Sequence, residues 1–90
     1  MDEKIQKVLE EKIRESTSKI NEITTLVNSL WHTPMHQTVF GHGIIIGRLY
    51  NSFYYQSRRI LKRNPTEQEF SEFIQLLKKH ENELLEISFS

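Results

Sequence analysis

The spacing of the apolar residues constrains this chain more than any other feature. They recur every three or four positions in three separate segments, which is the period of an amphipathic helix and not the alternation of a strand. The three stripes are Leu9, Ile13, Ser16, Ile20, Ile23, Val27 and Leu30; Val39, Ile46, Phe53 and Ile60, flanked by Leu49 and Tyr50; and Phe70, Phe73, Leu77, His80, Leu84 and Ile87. The sequence predicts an all-α fold, an antiparallel up-down-up three-helix bundle that self-associates.

Two helix starts are marked by capping residues. Thr33 offers a hydroxyl N-cap, and Pro34 follows at the first helical position, where its missing N–H costs nothing. The run 64–69 contains two possible capping boxes, Asn64 with Glu67 or Thr66 with Glu69. The low-propensity run 16–18 could divide the first helix, although a continuous helix is favoured. The predicted helices cover residues 3–30, 35–63 and 67–87 of a single domain, 1–90.

Chain length and composition limit the function classes. Ninety residues form one small core of marginal stability, which self-association would complete. The chain contains no cysteine, so disulfides, thiolate catalysis and sulfur-ligated metals are excluded. The charged N-terminal residues lack the apolar core of a signal peptide, and no apolar run approaches the length of a membrane span. We expect a cytoplasmic protein that makes no membrane contact.

The histidines are the first candidates for chemistry. His32, His36 and His42 lie within eleven positions, and neutral imidazoles bind zinc, nickel and copper. The four-residue spacing of the first two suits one helical face, but Pro34 lies between them and no carboxylate is near in sequence. These three residues are therefore a weak metal-site hypothesis. The alternative is that they are ordinary loop, helix-start and packing residues.

Polar residues on the three stripes form a second candidate. If the hairpins fold at residues 32 and 65, Ser16, Tyr50 and His80 come to a similar height in the bundle. Such a polar core layer can specify the register of a helical bundle. The alternative is a small buried site with a titrating histidine. Register specification is favoured, since Glu81 is the only carboxylate close to the seams.

Charge is distributed unevenly along the chain, although the net charge is zero. Residues 31–65 carry five basic groups and no acidic group, whereas residues 66–90 carry two basic and six acidic groups. A cationic stripe with a tyrosine could bind a nucleic acid or an acidic partner. Alternatively, the acidic residues Glu67, Glu69 and Glu72 could pair with it across the turn. The predicted binding residues are Arg48, Tyr55, Arg58, Arg59, Lys62 and Arg63.

Two glycines one helical turn apart, Gly43 and Gly47, suggest a place where a neighbouring helix or a ligand approaches the backbone closely. Helix packing is the favoured interpretation. Each glycine costs about 1 kcal/mol of helix propensity relative to alanine.

The predicted role is a non-catalytic helical module for protein–protein interaction or regulation. No residues pair a nucleophile with a base, no glycine-rich loop could hold phosphate, and no cofactor is indicated. Partners are expected to be a second copy of the chain and another protein. The alternatives are a nucleic-acid-binding protein that uses the basic face of the second helix, and a metal protein or small helical enzyme centred on His36, His42 and His80.

Overall fold

The computed structural model of the chain describes residues 1–18 and 20–89, apart from the side chain of Thr17. All secondary structure in this part of the chain is helical, which confirms the predicted all-α class. Within residues 1–18 and 20–89 five α-helical segments are described, and the first two lie on either side of Lys19. They are α1 (Glu3–Ser18), α2 (Ile20–Leu30), α3 (Pro34–Gln56), α4 (Glu67–Lys79) and α5 (Glu81–Leu85).

The first predicted helix, 3–30, corresponds to α1 and α2. Its start is capped by Asp2, whose Oδ1 accepts hydrogen bonds from the backbone N–H groups of Lys4 at 2.8 Å and Ile5 at 3.1 Å. Lys19, between the two segments, lies outside the described residues. The prediction that the helix is continuous is therefore left untested.

The second predicted helix, 35–63, is formed by α3 and a π-helical turn, Ser57–Leu61, that continues it. Thr33 caps the start through its Oγ1, which accepts from the backbone N–H of His36 at 3.4 Å, and Pro34 opens the helix as expected. At the other end Lys62 takes a left-handed conformation, with φ of 60°. This conformation terminates the helix, a role that glycine usually fills.

The third predicted helix, 67–87, begins as predicted but does not remain continuous. Of the two possible capping boxes, the structure forms the one between Thr66 and Glu69. The backbone of His80 leaves the helical region, with φ of −102° and ψ of 15°, and separates α4 from α5. Residues 86–89, after α5, are non-helical but pack back onto the core through Ile87 and Phe89.

One hydrophobic core joins all these segments. Both α1 and α2 lie along α3. The rings of Phe53 on α3 and Phe73 on α4 stack with their centroids 4.6 Å apart. The buried apolar residues are Ile5, Leu9, Ile13, Ile23, Val27, Ile45, Leu49, Phe53, Phe73, Leu76, Leu84, Ile87 and Phe89.

The predicted stripe of α3 is wrong over its first half. Val39 is 68% exposed, and the buried isoleucine is Ile45 and not Ile46. Adjacent residues differ by about 100° around a helix, so the buried face is rotated by that amount from the predicted one. The run 44–46 is three isoleucines, which makes both faces apolar. Periodicity alone could not choose between them.

The ends of the other two stripes also differ from the prediction. Leu30 is exposed by 54% and Phe70 by 37%, so both lie at the edge of the core. The core instead includes Ile5, Leu76 and Phe89, which the stripes omitted.

The glycine that permits close approach is Gly41, not Gly43 or Gly47. A Cβ atom at position 41 would lie 2.5 Å from ring atoms of Phe89. A Cβ atom at either of the other two glycines would meet no atom within 4 Å. The predicted packing role of Gly43 and Gly47 is therefore wrong within this chain, and they lie on an open surface.

Among residues 1–18 and 20–89, no helix has both the length and the hydropathy needed to cross a lipid bilayer.

Candidate interaction surfaces

The most extensive candidate site is an exposed apolar face built from α3, α4 and α5. Met35, Val39, Ile46 and Tyr50 fall within about 60° of one another around α3. The second and third of these are the residues that were predicted to be buried. We define the apolar face by its seven large exposed side chains, Met35, Val39, Ile46, Tyr50, Phe70, Ile74 and Leu85.

The two sides of the apolar face meet in a groove. Ile46 on α3 and Ile74 on α4 both line this groove, whose volume is about 230 Å³. Tyr50 connects the two sides further along, since its ring centroid lies 6.4 Å from that of Phe70. The groove also contains one cation and one anion, Lys78 and Glu81. Within the described residues neither has an ion-pair partner.

The six predicted binding residues of the basic stripe lie in two places. Arg48 and Tyr55 line a polar groove between α1 and α3, together with Lys12. The other four, Arg58, Arg59, Lys62 and Arg63, lie in the π-helical turn and just after it.

We call Arg58, Arg59, Lys62 and Arg63 the basic end. Within the described residues, intramolecular pairing neutralises only part of its charge. Arg63 makes two hydrogen bonds to the carboxylate of Glu69, at 2.7 and 3.3 Å. Arg58 donates to the side-chain oxygen of Asn64 at 2.9 Å, and Arg59 donates to that of Gln56 at 3.2 Å. Those two acceptors are neutral, so both arginines keep their full charge. Glu72, which was expected to pair with this end, instead binds the N-terminal ammonium group of Met1.

The Arg63–Glu69 pair has a clear electrostatic signature. The Arg63 guanidinium and, secondarily, the hydrogen bond from the Thr66 backbone N–H lower the pKa of Glu69 from 4.5 to about 2. The carboxylate also holds the N-cap of α4 in place. This pair therefore stabilises a turn and is not available to a ligand.

The histidines do not converge on a metal site. In the described part of the chain, no three histidine or carboxylate side chains are close enough together to hold an ion. His32 and His36 are exposed, and His36 packs beside Trp31 with the ring centroids 5.6 Å apart. Nε2 of His42 lies 3.3 Å from the carbonyl oxygen of Ile87. Because a carbonyl only accepts, the imidazole donates this bond and holds the C-terminal segment.

The predicted polar core layer does not form as expected. Ser16 is buried, but its hydroxyl donates to the backbone carbonyl of Lys12 in its own helix. Tyr50 is 46% exposed and belongs to the apolar face. Nδ1 of His80 lies 2.9 Å from the carboxylate of Glu83, while its Nε2 is buried without a hydrogen-bond partner. The carboxylate expected near the seams was Glu81, but His80 contacts Glu83, and the three-residue spacing of these two residues is the sequence signal for that contact.

Comparison with known proteins identifies no relative: no family model matches the chain, and neither a curated protein nor a solved structure shows significant similarity to it.

Proposed function

We propose that this protein is a non-catalytic interaction module that acts through its apolar face, and that its first partner is a second copy of the chain. The observation that supports this proposal is the exposure of Val39 and Met35, each 68%, on the same side of α3 as Ile46, which lines the groove with Ile74. Large apolar side chains grouped in this way on a small domain are typical of a docking surface.

The area of the apolar face suits a homodimer. From their exposed fractions, its seven side chains present on the order of 600 Å² per copy, and a standard interface buries about 800 Å² per partner. Glycines at 43 and 47 border the face and present no Cβ atom, so a second helix could approach the α3 backbone closely. The remaining area would come from these backbone contacts and from the polar rim.

The charges in the groove are also compatible with two-fold symmetry. Lys78 and Glu81 line the same groove with no ion-pair partner among the described residues. A two-fold interface presents the same patch from both subunits, so each lysine could face the glutamate of the other copy. An uncharged apolar partner would leave both groups unpaired.

We further propose that the helices form the predicted up-down-up bundle, with α1 and α2 as one arm, α3 as the second, and α4 with α5 as the third. The short connections support this arrangement, as do the contacts of Met1 with Glu72 and of His42 with Ile87. The chain has no cysteine, so a spin label on a Lys7→Cys variant would map the arrangement by paramagnetic broadening. Broadening confined to α1 would contradict it.

Sedimentation equilibrium tests the dimer directly. Val39→Lys places a charge in the apolar face at a position with no packing role, so the variant should stay folded and dissociate at least tenfold more readily. Leu26→Lys on α2 is the matched control, because Leu26 is 47% exposed and lies outside the face. A wild-type protein that remains monomeric at several hundred micromolar would contradict the proposal, as would an equal effect of both variants.

A second candidate function is nucleic-acid binding by the basic end. It is favoured by one observation: of Arg58, Arg59, Lys62 and Arg63, only the last pairs with a carboxylate in the described structure. Affinity for a random oligonucleotide should then fall steeply with salt concentration, because each phosphate contact releases a counterion. Undetectable binding at low salt would eliminate this function.

A further inference from the structure

We propose that the polar groove between α1 and α3 binds the phosphate group of a small phosphorylated molecule. The groove is lined by Lys12, Arg48, Asn51, Ser52, Tyr55 and Gln56. It shares no lining residue with the groove of the apolar face, so the inference is independent of the proposed homodimer.

The charge of the groove favours an anion. Lys12 and Arg48 approach it from different helices, and no carboxylate is among its lining residues in the described structure. Neither cation has an ion-pair or hydrogen-bond partner for its side chain within residues 1–18 and 20–89. Two unpaired cations that face one groove repel each other, and a bound dianion would remove that repulsion. The arginine fork also matches the oxygen spacing of a phosphate.

The hydroxyl group of Ser52 is a second observation in favour of a ligand in this groove. This residue is only 7% exposed, and its hydroxyl group is buried without a hydrogen-bond partner. Buried hydroxyl groups are nearly always satisfied, since an unsatisfied one is costly. A phosphate oxygen bound between Lys12 and Arg48 would give the hydroxyl an acceptor once the Ser52 side chain turns toward the groove, because its oxygen is covered in the present position.

Gln56 also lines this groove, and its amide can donate hydrogen bonds. Its Oε1 accepts a hydrogen bond from Arg59 at 3.2 Å, and an arginine only donates, so the assignment of oxygen and nitrogen is fixed. The Gln56 side chain therefore keeps both N–H groups for a ligand. The Gln56 side chain is almost fully buried, at 8% exposure.

The size of the groove defines the class of ligand. Its volume, about 260 Å³, lies below the range of roughly 300–1,000 Å³ that is typical of sites for drug-sized ligands. A phosphate monoester with a short organic group would fill it. Tyr55 is 60% exposed at the rim, where its ring could cover that organic group. A nucleic acid could occupy this groove only by inserting a terminal phosphate group.

Titration of the full chain with inorganic phosphate and with glycerol 3-phosphate, followed by NMR, tests the assignment. We expect saturable shifts at Asn51, Ser52 and Gln56, with tighter binding of glycerol 3-phosphate. Arg48→Gln should raise the Kd about tenfold, and Ser52→Ala should raise it severalfold. Lys7→Gln, which removes the same type of charge from α1 outside the groove, should change it less than twofold.

Three outcomes would overturn the proposal. Chemical-shift changes that grow linearly with the phosphate concentration and do not saturate would indicate non-specific attraction. An equal effect of Lys7→Gln and Arg48→Gln would indicate that only the overall charge matters. Saturable binding of a single-stranded oligonucleotide, without binding of either small phosphate, would assign the cations to nucleic acid.

Discussion

Phe89 lies so close to the backbone of Gly41 that a Cβ atom at position 41 would come within 2.5 Å of its ring. The ring is almost completely buried, at 1% exposure. His42, the next residue, packs edge-on against the same ring and donates to the carbonyl of Ile87. These contacts attach the non-helical C-terminal segment to the middle of α3.

The Gly41–Phe89 contact predicts opposite effects at two nearby glycines. Gly41→Ala should destabilise the protein by about 1–3 kcal/mol, because the added methyl group displaces the ring. Gly43→Ala should stabilise it by up to about 1 kcal/mol, since a Cβ there meets no atom and alanine is the better helix former. Urea denaturation measures both changes. Equal stabilisation by the two alanines would show that Phe89 does not occupy this position.

A double substitution isolates the same contact. In a Phe89→Ala background the clash at position 41 is gone, so Gly41→Ala should become neutral or slightly stabilising. The two single substitutions would then be strongly non-additive, as expected for residues in direct contact.

The rotated core face of α3 predicts which apolar residues of this helix matter for stability. Leu49 is 1% exposed, so Leu49→Ala should cost about 2–5 kcal/mol, the usual range for a buried leucine. Val39→Ala should change the stability by less than about 0.5 kcal/mol at concentrations where the protein is monomeric. Thermal unfolding monitored by circular dichroism compares the two variants. A larger loss of stability in Val39→Ala than in Leu49→Ala would indicate that the face predicted from periodicity is the buried one.

The left-handed conformation of Lys62 predicts that glycine is favoured at this position. A residue other than glycine with a backbone φ of 60° is strained by about 1 kcal/mol, because its Cβ atom is crowded. Glycine has no Cβ atom and avoids that strain. Lys62→Gly should therefore be more stable than Lys62→Ala by about 1 kcal/mol in urea denaturation. Both variants lose the same charge at the helix end, so the difference reports the backbone alone. Equal stabilities would contradict the observed helix end.

The Arg63–Glu69 pair predicts a stability change at acid pH. Because folding lowers the pKa of Glu69 from 4.5 to about 2, its contribution is complete above pH 4.5 and is lost as the pH falls through about 2. Arg63 is about half exposed, so solvent screening keeps this contribution to the stability small. NMR titration of the Glu69 carboxyl group should show a midpoint near 2 that moves toward 4.5 in an Arg63→Gln variant.

Glu69→Gln provides the matched measurement of stability. Glutamine can still accept the capping bond, so this variant removes the charge and retains the capping box. The free energy of unfolding of this variant should fall furthest below that of the wild type at pH 7, and the difference should shrink below pH 4. Glu67→Gln removes a charge from the same turn and should show a smaller deficit. A pH-independent deficit at Glu69 would rule out the ion pair.

The features that could be predicted from the sequence are those whose determining contacts are local. The Thr33–Pro34 start and the capping box of Thr66 with Glu69 involve residues within three positions of each other, so the printed order of residues is sufficient to find them. The break at His80 was not predicted, because its apolar and polar neighbours continue the helical period through it.

The candidate surfaces were only partly predictable. The basic residues after position 47 were identified, but their division into a groove at Arg48 and a separate end near Arg58 depends on where α1 packs. The orphaned hydroxyl of Ser52 and the buried amide of Gln56 have no sequence signal, since serine and glutamine in a helix usually face solvent.

The order of residues alone determined that this chain is helical and where its two strongest helix starts lie. Only the tertiary structure decided which stripe of α3 is buried, because Ile45 and Ile46 are equally apolar and lie about 100° apart around the helix. The choice was made by long-range contacts, above all the stack of Phe53 on Phe73 and the approach of Phe89 to Gly41. Such contacts join residues that are distant in sequence, and no local pattern encodes them.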